Sequence, residues 1–240
     1  MPVQRGRTVH CGRAQSAGGE GAGRLGAGSQ AVRHKVRHKK EWACMRIGLF
    51  ADSHDHKDNL RRTVEYFNRA ACELVLFAGD LVSTFAVPPL RKLACPLIAC
   101  FGDNEGNKTG LRAGFTLIGK IDEPPIRLTL ADGTRLVLCH MERQLRGLAD
   151  DWTIAVFGHT HKPRVSRDEA GRLWINPGEV SGWTFDQPTV AILETTTRSV
   201  SIVSLRTGEV VPPSVWQPRP AQRRPSAVAA ETPPKGTSSG

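Results

Sequence analysis

The sequence predicts an α/β protein in which two β-sheets pack together and helices lie outside them. Three observations favour this class. In the first half of the chain, continuous apolar runs alternate with helix-period segments, a pattern typical of parallel βαβ units. In the second half, strand patterns follow one another with little helix between them. Polar residues cluster directly after the strands, where the ligands of parallel sheets bind.

Three apolar strands are expected in the first half, and a helical pattern follows each of them. The strands are residues 46–51, 73–78 and 96–101. The helical patterns are residues 58–70, a second near 86–94 and a mixed segment at 107–119. In the first helix, the spacing of the apolar side chains predicts one buried face. That face comprises Leu60, Val64, Phe67 and Ala71.

The second half contains a series of shorter strand patterns. They are residues 125–130, 134–139, 153–157, 163–167, 172–176, 189–194 and 199–205. The Asp132-Gly133 dipeptide between the first two predicts a hairpin turn. One short helix is expected around 142–149.

The formal net charge of +10 belongs to the two ends of the chain. Residues 1–44 carry nine Lys/Arg and two acidic residues, and residues 211–240 carry four and one. Residues 45–210 carry twenty of each, so the body of the protein is neutral. A neutral body argues against a broad contact with nucleic acid, which leaves such contact to the basic ends.

We expect a disordered basic extension over 1–44, one folded domain over 45–210 and a disordered, proline-rich tail over 211–240. The basic run at 33–40 suits nucleic acid, an anionic membrane surface or a targeting peptide, although a solvated tail is the simpler interpretation. Met45 stands directly before the first strand, which leaves open that translation starts there.

The sequence predicts a cytoplasmic protein without a membrane span. No apolar run is long enough to cross a membrane, and the N-terminus lacks the apolar stretch of a secretory signal. The six cysteines form no CxxC pair, and most of those in the body lie in or beside apolar runs. Buried, reduced thiols are typical of a reducing compartment.

All five histidines of the body come directly after predicted strands, together with acidic residues. A single buried histidine is usually a packed core residue, but that interpretation weakens when all of them reach one sheet edge. Asp52-Ser53-His54 and His159-Thr160-His161 each place two ligand side chains two residues apart, where both can reach one point. Three Asp and four His suit two divalent ions, such as Mn²⁺, Fe²⁺, Ni²⁺ or Zn²⁺, that share one carboxylate.

The ordered series of motifs resembles the calcineurin-like metallophosphoesterases, and among them the small single-domain bacterial and archaeal phosphodiesterases. The resemblance covers about residues 46–205. Its motifs are Asp52-Ser53-His54, Gly79-Asp80, Gly102-Asp103-Asn104-Glu105, His140, Gly158-His159-Thr160-His161 and Ile175-Asn176-Pro177-Gly178. It implies a metallophosphoesterase fold, which is a four-layer αββα sandwich of two mixed sheets flanked by helices. It also implies a metal-dependent phosphoric ester hydrolase that acts on a small phosphodiester.

The resemblance further implies a role for each ligand. It assigns Asp52, His54 and His161 to the first metal, Asp80 to both, and Asp103, His140 and His159 to the second. The implied mechanism is in-line attack on phosphorus by a metal-bridging hydroxide, with Mn²⁺ the favoured ion. Residues expected to orient these ligands or contact substrate are Asp55, His56 and Asn176.

Three departures from the family pattern bear on activity. The family usually has Asn at the position of Asp103, and the added negative charge should tighten metal binding and weaken attraction for phosphate. Many relatives carry a His at the position of Asn104, and that His protonates the leaving group. Asn104 cannot do this and can only contact substrate. Glu142, in the segment after His140 where close relatives have Gly-His, either approaches the site or begins a helix.

Several alternatives stay open at this point. The same fold serves as an interaction scaffold in the retromer coat, with an impaired metal site, so an inactive scaffold is the second hypothesis. Lys162 and Arg164 either attract phosphate or lie solvated on the surface. Cys139 beside His140 is a poor candidate nucleophile, because adjacent strand residues point to opposite faces. Homo-oligomerisation through a sheet edge is also open.

Overall fold

The computed structural model describes residues 45–212, and the predictions for residues 1–44 and 213–240 lie outside them. The helices in this range are α1 (Lys57–Arg69), α2 (Val87–Leu90) and α3 (Lys108–Phe115), with 3-10 turns at Thr84–Ala86 and Glu142–Leu145. The strands of the first half are β1 (Arg46–Phe50), β2 (Leu74–Phe77), β3 (Leu97–Cys100) and β4 (Gly119–Asp122). Those of the second half are β5 (Ile126–Thr129), β6 (Arg135–Leu138), β7 (Ile154–Val156), β8 (Arg164–Arg167), β9 (Leu173–Asn176), β10 (Thr189–Glu194), β11 (Ser199–Ser204) and β12 (Val210–Val211).

The strands form two mixed sheets. The larger has the order β12-β11-β10-β1-β2-β3-β4, in which β1 to β4 are parallel and β10 joins β1 antiparallel. The smaller has the order β5-β6-β7-β9-β8, in which β6, β7 and β9 are parallel. Two mixed sheets with flanking helices confirm the predicted fold class.

The apolar residues separate into layers that follow from strand alternation. One buried cluster fills the space between the sheets and includes Leu49, Leu138 and Ile175. A second lies between the larger sheet and the helices, where the Phe50 and Phe77 rings stack at 4.4 Å. Burial of such side chains contributes roughly 1.5–3 kcal/mol each. The parallel strands are therefore held on both faces, which fixes where their carboxyl ends lie.

A third apolar cluster covers the outer face of the smaller sheet. It is built around Trp152 and Phe157, with Leu145 supplied by the short turn after β6. The helix predicted at 142–149 is only a 3-10 turn here, because Gly147 at φ +77° and the following residues leave the helical region.

The sequence predicted β1, β2 and β3 closely, but it missed β4, which pairs parallel with β3, and it misplaced some helix residues. Ala71 is not on the buried face of α1, because the helix ends at Arg69 and Ala71 takes φ +53° in an exposed turn. The mixed segment at 107–119 resolves into α3 and the start of β4. Strand β12 reaches Val211, one residue past the predicted end of the domain.

Candidate metal centre

The carboxyl ends of the parallel strands bring the predicted ligands to one edge of the molecule. The last residues of β1 and β2 lie opposite each other, next to the second-to-last residue of β3. The last residues of β6 and β7 likewise lie opposite each other, next to the second-to-last residue of β9. The short loops that follow these strand ends lie next to one another. They carry all seven residues predicted to bind metal, which are Asp52, His54, Asp80, Asp103, His140, His159 and His161.

A first cluster consists of Asp52, His54 and His161, with one ligand atom of each within 4.8 Å of the others. His54 Nε2 lies 3.2 Å from His161 Nε2, which in turn lies 3.8 Å from Asp52 Oδ1. Burial lowers the pKa of His54, and the nearby Asp80 carboxylate only partly offsets this. A neutral imidazole has a free lone pair, so the cluster can accept a divalent cation.

A second cluster consists of Asp103, His140 and His159. Asp103 Oδ1 lies 2.9 Å from His140 Nε2 and 3.6 Å from His159 Nδ1. Burial acts to raise the pKa of the Asp103 carboxyl, but the two imidazoles outweigh it and lower that pKa. The His140 Nδ1–H donates to the carbonyl of Ala78 at 2.7 Å, which turns its Nε2 toward the cluster.

Asp80 lies between the two clusters. Its Oδ2 is 3.6 Å from His54 Nε2 and 3.5 Å from His140 Nε2, one histidine from each cluster. Its Oδ1 accepts hydrogen bonds from the backbone N–H groups of Asp103 and Asn104 at 3.0 and 3.1 Å. The Asn104 side-chain amide donates to Oδ2 at 2.7 Å. The carboxylate is therefore fixed with one oxygen toward both clusters, and Asn104 orients it.

The Asp52 side chain shows that these residues fit metal ions. It is fully buried, and its Oδ2 has no hydrogen-bond partner within residues 45–212. Burial raises the pKa of Asp52 well above its usual value, and the Asp80 charge raises it further. A buried carboxylate oxygen without a partner is costly unless a cation faces it. Carboxylates and imidazoles together suit Mn²⁺, Fe²⁺, Ni²⁺ and Zn²⁺.

Glu179 is a buried carboxylate that the sequence analysis missed. Its Oε2 accepts a hydrogen bond from His161 Nδ1 at 2.7 Å, so the Nε2 of that ring faces the first cluster. Burial acts to raise the pKa of Glu179, but hydrogen bonds from His161 and from the Thr184 and Phe185 backbone outweigh it and lower that pKa. Its place three residues after Asn176, in the segment that follows β9, was the available signal.

Glu105 holds the loops after β2 and β3 together. Its Oε1 accepts from the backbone N–H groups of Asp80 and Leu81 at 2.8 and 3.1 Å, and its Oε2 accepts from Gly102 at 2.8 Å. A Cβ on Gly102 would lie 2.0 Å from Asp80 Oδ1, so only glycine allows this approach. The Gly-Asp-Asn-Glu motif at residues 102–105 thus holds the Asp80 carboxylate in place.

Several of these side chains sit on left-handed backbone, which non-glycine residues adopt only at a cost of roughly 1–2 kcal/mol each. The φ angles are +52° at Asp52, +40° at His54, +65° at Asp80, +66° at His159 and +61° at His161. Such strain concentrates where a fold holds side chains for a function. Here it turns the side chains after each strand toward one point.

The residues predicted to orient the ligands lie close by and contact the backbone. Asn176 Nδ2 donates to the Gly158 carbonyl at 2.8 Å and to Thr160 Oγ1 at 3.0 Å, which fixes the loop between the two histidines of the second motif. Asp55 Oδ1 accepts from Ser83 N at 3.0 Å. His56 Nδ1 accepts from Asn59 N at 3.3 Å and caps α1.

Other candidate residues have structural roles. Glu142 begins the turn after His140 and pairs with Arg164 at 3.1 Å, and neither residue is among the clustered ligands. Cys139 packs on the outer face of the smaller sheet, and burial raises the pKa of its thiol to about 12. A thiol with that pKa is not a nucleophile at neutral pH, so the Cys–His interpretation is excluded.

Comparison with known families identifies this arrangement. A model of the calcineurin-like phosphoesterase superfamily domain matches residues 45–198, which include both clusters. The chain belongs to the calcineurin-like phosphoesterases. The match confirms the resemblance that the motifs after the strands predicted. Within residues 45–212, no helix of this calcineurin-like phosphoesterase is long and apolar enough to cross a membrane.

Known relatives of this calcineurin-like phosphoesterase include a phosphodiesterase of Methanocaldococcus jannaschii. It is 33% identical over 160 residues, which span 63% of this chain and 93% of the relative. The structure of an archaeal phosphodiesterase superposes with a TM-score of 0.62 at 29% identity, covering 67% of this chain and 99% of its own. A phosphoesterase from E. coli, 20% identical with a TM-score of 0.57, shares the fold over 70% of this chain and 97% of its own. Family and relatives together support a hydrolase.

Proposed function

We propose that the protein is a metal-dependent phosphodiesterase whose clustered side chains hold two divalent ions. The observation that carries the proposal is the position of Asp80, whose Oδ2 lies 3.6 Å from His54 and 3.5 Å from His140. A carboxylate held midway between two ligand clusters suits a bridge between two ions. One ion would be held by Asp52, His54 and His161 and the other by Asp103, His140 and His159, with Asp80 shared.

When bound, two divalent ions lower the pKa of a coordinated water toward ~7 and neutralise charge on phosphoryl oxygens during in-line displacement at phosphorus. The chain itself positions the ligands. The Ala78 carbonyl and the Glu179 carboxylate hold the Nδ1 atoms of His140 and His161, so each Nε2 faces its cluster. Asn104 is engaged with Asp80 and has no titrating proton, so the reaction favours diesters whose leaving group departs without protonation.

The proposal includes Mn²⁺ as the favoured ion and the cytoplasm as the location. A site of carboxylates and imidazoles also accepts Ni²⁺, Fe²⁺ or Zn²⁺, and metal supply decides among them. The four cysteines within residues 45–212 are free thiols, which suits a reducing compartment.

Hydrolysis of bis-p-nitrophenyl phosphate tests the proposal. The full chain is stripped with a chelator, and Mn²⁺, Ni²⁺, Fe²⁺ or Zn²⁺ is then added back in separate samples. We expect turnover only with added metal, and a loss of at least about 100-fold in His159→Ala, because one ligand of the second cluster is removed.

Glu65→Ala is the control, since this glutamate lies exposed in the middle of α1 and belongs to neither cluster. It should keep most of the metal-dependent rate. A folded protein that hydrolyses nothing with any of the four metals would overturn the proposal and favour the interaction-scaffold hypothesis.

A further inference from the structure

A solvent-exposed tryptophan lies beside the first cluster. Trp183 is 67% exposed, and its ring centroid lies 6.3 Å from that of His54 and 6.0 Å from that of His56. The planes of the Trp183 and His54 rings differ by 28°, so these two rings are roughly parallel. One face of the indole therefore looks toward a proposed metal ligand, while much of the ring stays open to solvent.

The loop that carries Trp183 is anchored to the carboxylate that orients His161. Glu179 Oε1 accepts from the Phe185 backbone N–H at 2.7 Å, and the Thr184 N–H donates to both oxygens at 3.2 and 3.1 Å. Several hydrogen bonds to one buried carboxylate fix the loop relative to the cluster. Trp183 is thus held at a defined place beside the proposed centre.

The same loop presents a second aromatic ring, which a lysine from the segment after His161 contacts. Phe185 is 43% exposed, and Lys162 Nζ lies 5.2 Å from its ring centroid. Lys162 directly follows His161 in the chain. The cation held over this ring adds positive charge next to the loop that carries Trp183.

We infer that Trp183 is a stacking platform for a nucleobase, and that the substrate is a phosphodiester of a nucleoside. The inference rests on the proposed function, since the clustered ligands and their ions would hold the phosphate. A single exposed aromatic residue is ordinary on a protein surface. One that is anchored next to a phosphate site, however, contacts whatever group the phosphate carries. Every nucleobase has a flat π-face that stacks on an aromatic side chain.

Isothermal titration of the Mn²⁺-loaded full chain with AMP and with ribose 5-phosphate tests the inference, because these ligands differ only in the base. We expect AMP to bind at least about fivefold more tightly. In Trp183→Ala the ratio should fall to about one while ribose 5-phosphate binds as before, and Trp183→Phe should keep part of the preference. Leu117→Ala removes another exposed apolar side chain, 75% exposed after α3, and should keep the wild-type ratio.

Equal affinities in the wild type, no binding of AMP, or a preference that survives Trp183→Ala would overturn the inference. A parallel loss of ribose 5-phosphate binding in Trp183→Ala would overturn it too, since it would show that the indole supports His54. Hydrolysis of bis-p-nitrophenyl phosphate by the same samples separates the two proposals. Hydrolysis without a preference for AMP contradicts only the stacking role, and a preference without hydrolysis contradicts only the proposed catalysis.

Discussion

At the scale of single residues, the proposed centre depends on the groups that orient the metal ligands as well as on the ligands themselves. Glu179 and the Ala78 carbonyl each hold the Nδ1 of one histidine, so that its Nε2 faces a ligand cluster. Such outer partners set the tautomer and orientation of an imidazole ligand. They therefore carry part of the metal affinity although they do not touch the ion.

Glu179→Gln should weaken Mn²⁺ binding by about 10- to 100-fold, because the amide is a weaker acceptor for the His161 Nδ1–H. Titration calorimetry of the stripped protein measures this. Glu73→Gln, an exposed change directly before β2 and so at the opposite ends of the parallel strands, should leave the affinity unchanged. Equal Mn²⁺ affinity in Glu179→Gln and wild type would show that Glu179 anchors only the loop.

Asp103→Asn tests the extra charge that this chain carries where the family usually has asparagine. The Asp103 side chain is 44% exposed, so its effect on an arriving anion is screened. We expect the KM for bis-p-nitrophenyl phosphate to fall by up to about fivefold, the size of one charge interaction at 4 Å in water. Mn²⁺ affinity should fall at the same time, and a higher KM in the variant would contradict the electrostatic argument.

At the scale of elements, the sequence located the strands that build the centre because buried parallel strands are apolar throughout. The ligands follow those strands directly, so their convergence at one edge could be predicted. Glu179 was missed, because its partner His161 lies 18 residues away and the pairing of β9 with β7 brings the two together; its place after β9 was the signal that could have found it. The turn after β6 was also misjudged, because its apolar spacing suits both a helix and the 3-10 turn that forms.

Gly102→Ala should displace the Asp80 carboxylate, because the new methyl group would lie 2.0 Å from Asp80 Oδ1. We expect metal-dependent hydrolysis to fall by at least about tenfold, along with Mn²⁺ affinity. Gly106 in the same loop has no atom within 4 Å of such a methyl group, which makes Gly106→Ala the matched control. Equal hydrolysis by the two variants would show that the close approach of Gly102 to Asp80 does not hold the Asp80 carboxylate in place.

The β8–β9 hairpin contains an acid-sensitive link. Asp168 Oδ2 accepts from Arg172 Nε at 2.7 Å and from Trp174 Nε1 at 3.1 Å. Burial acts to raise the pKa of Asp168, but these hydrogen bonds outweigh it and lower that pKa. A carboxyl whose pKa is lower in the folded than in the unfolded protein stabilises the fold when the pH is above the unfolded-state pKa of about 3.9. This stabilisation is lost as the pH falls through the folded-state pKa.

Asp168→Asn should therefore lower the free energy of unfolding by about 1–2 kcal/mol at pH 7. The difference from wild type should shrink steadily as the pH falls below about 4, because the wild-type carboxyl is then protonated as well. Urea unfolding at several pH values measures both. A difference that stays constant with pH would assign the effect to packing and not to charge.

At the scale of the whole molecule, the charge is divided between a neutral body and basic ends. Residues 45–210 carry twenty basic and twenty acidic residues. Binding of the full chain to single-stranded DNA at 50 mM salt should therefore disappear when residues 1–44 and 213–240 are deleted, which leaves β12 intact. Fluorescence anisotropy measures the binding and its decline with salt. DNA binding that persists in the shortened chain would place a nucleic-acid surface on the body.

The most direct test of the central claim is a crystal structure of the Mn²⁺-loaded protein with anomalous data at the manganese edge. The account predicts two peaks, one at Asp52, His54 and His161 and the other at Asp103, His140 and His159, with Asp80 touching both. Peaks absent from both clusters, or a single peak with Asp80 turned away from it, would contradict the dinuclear centre.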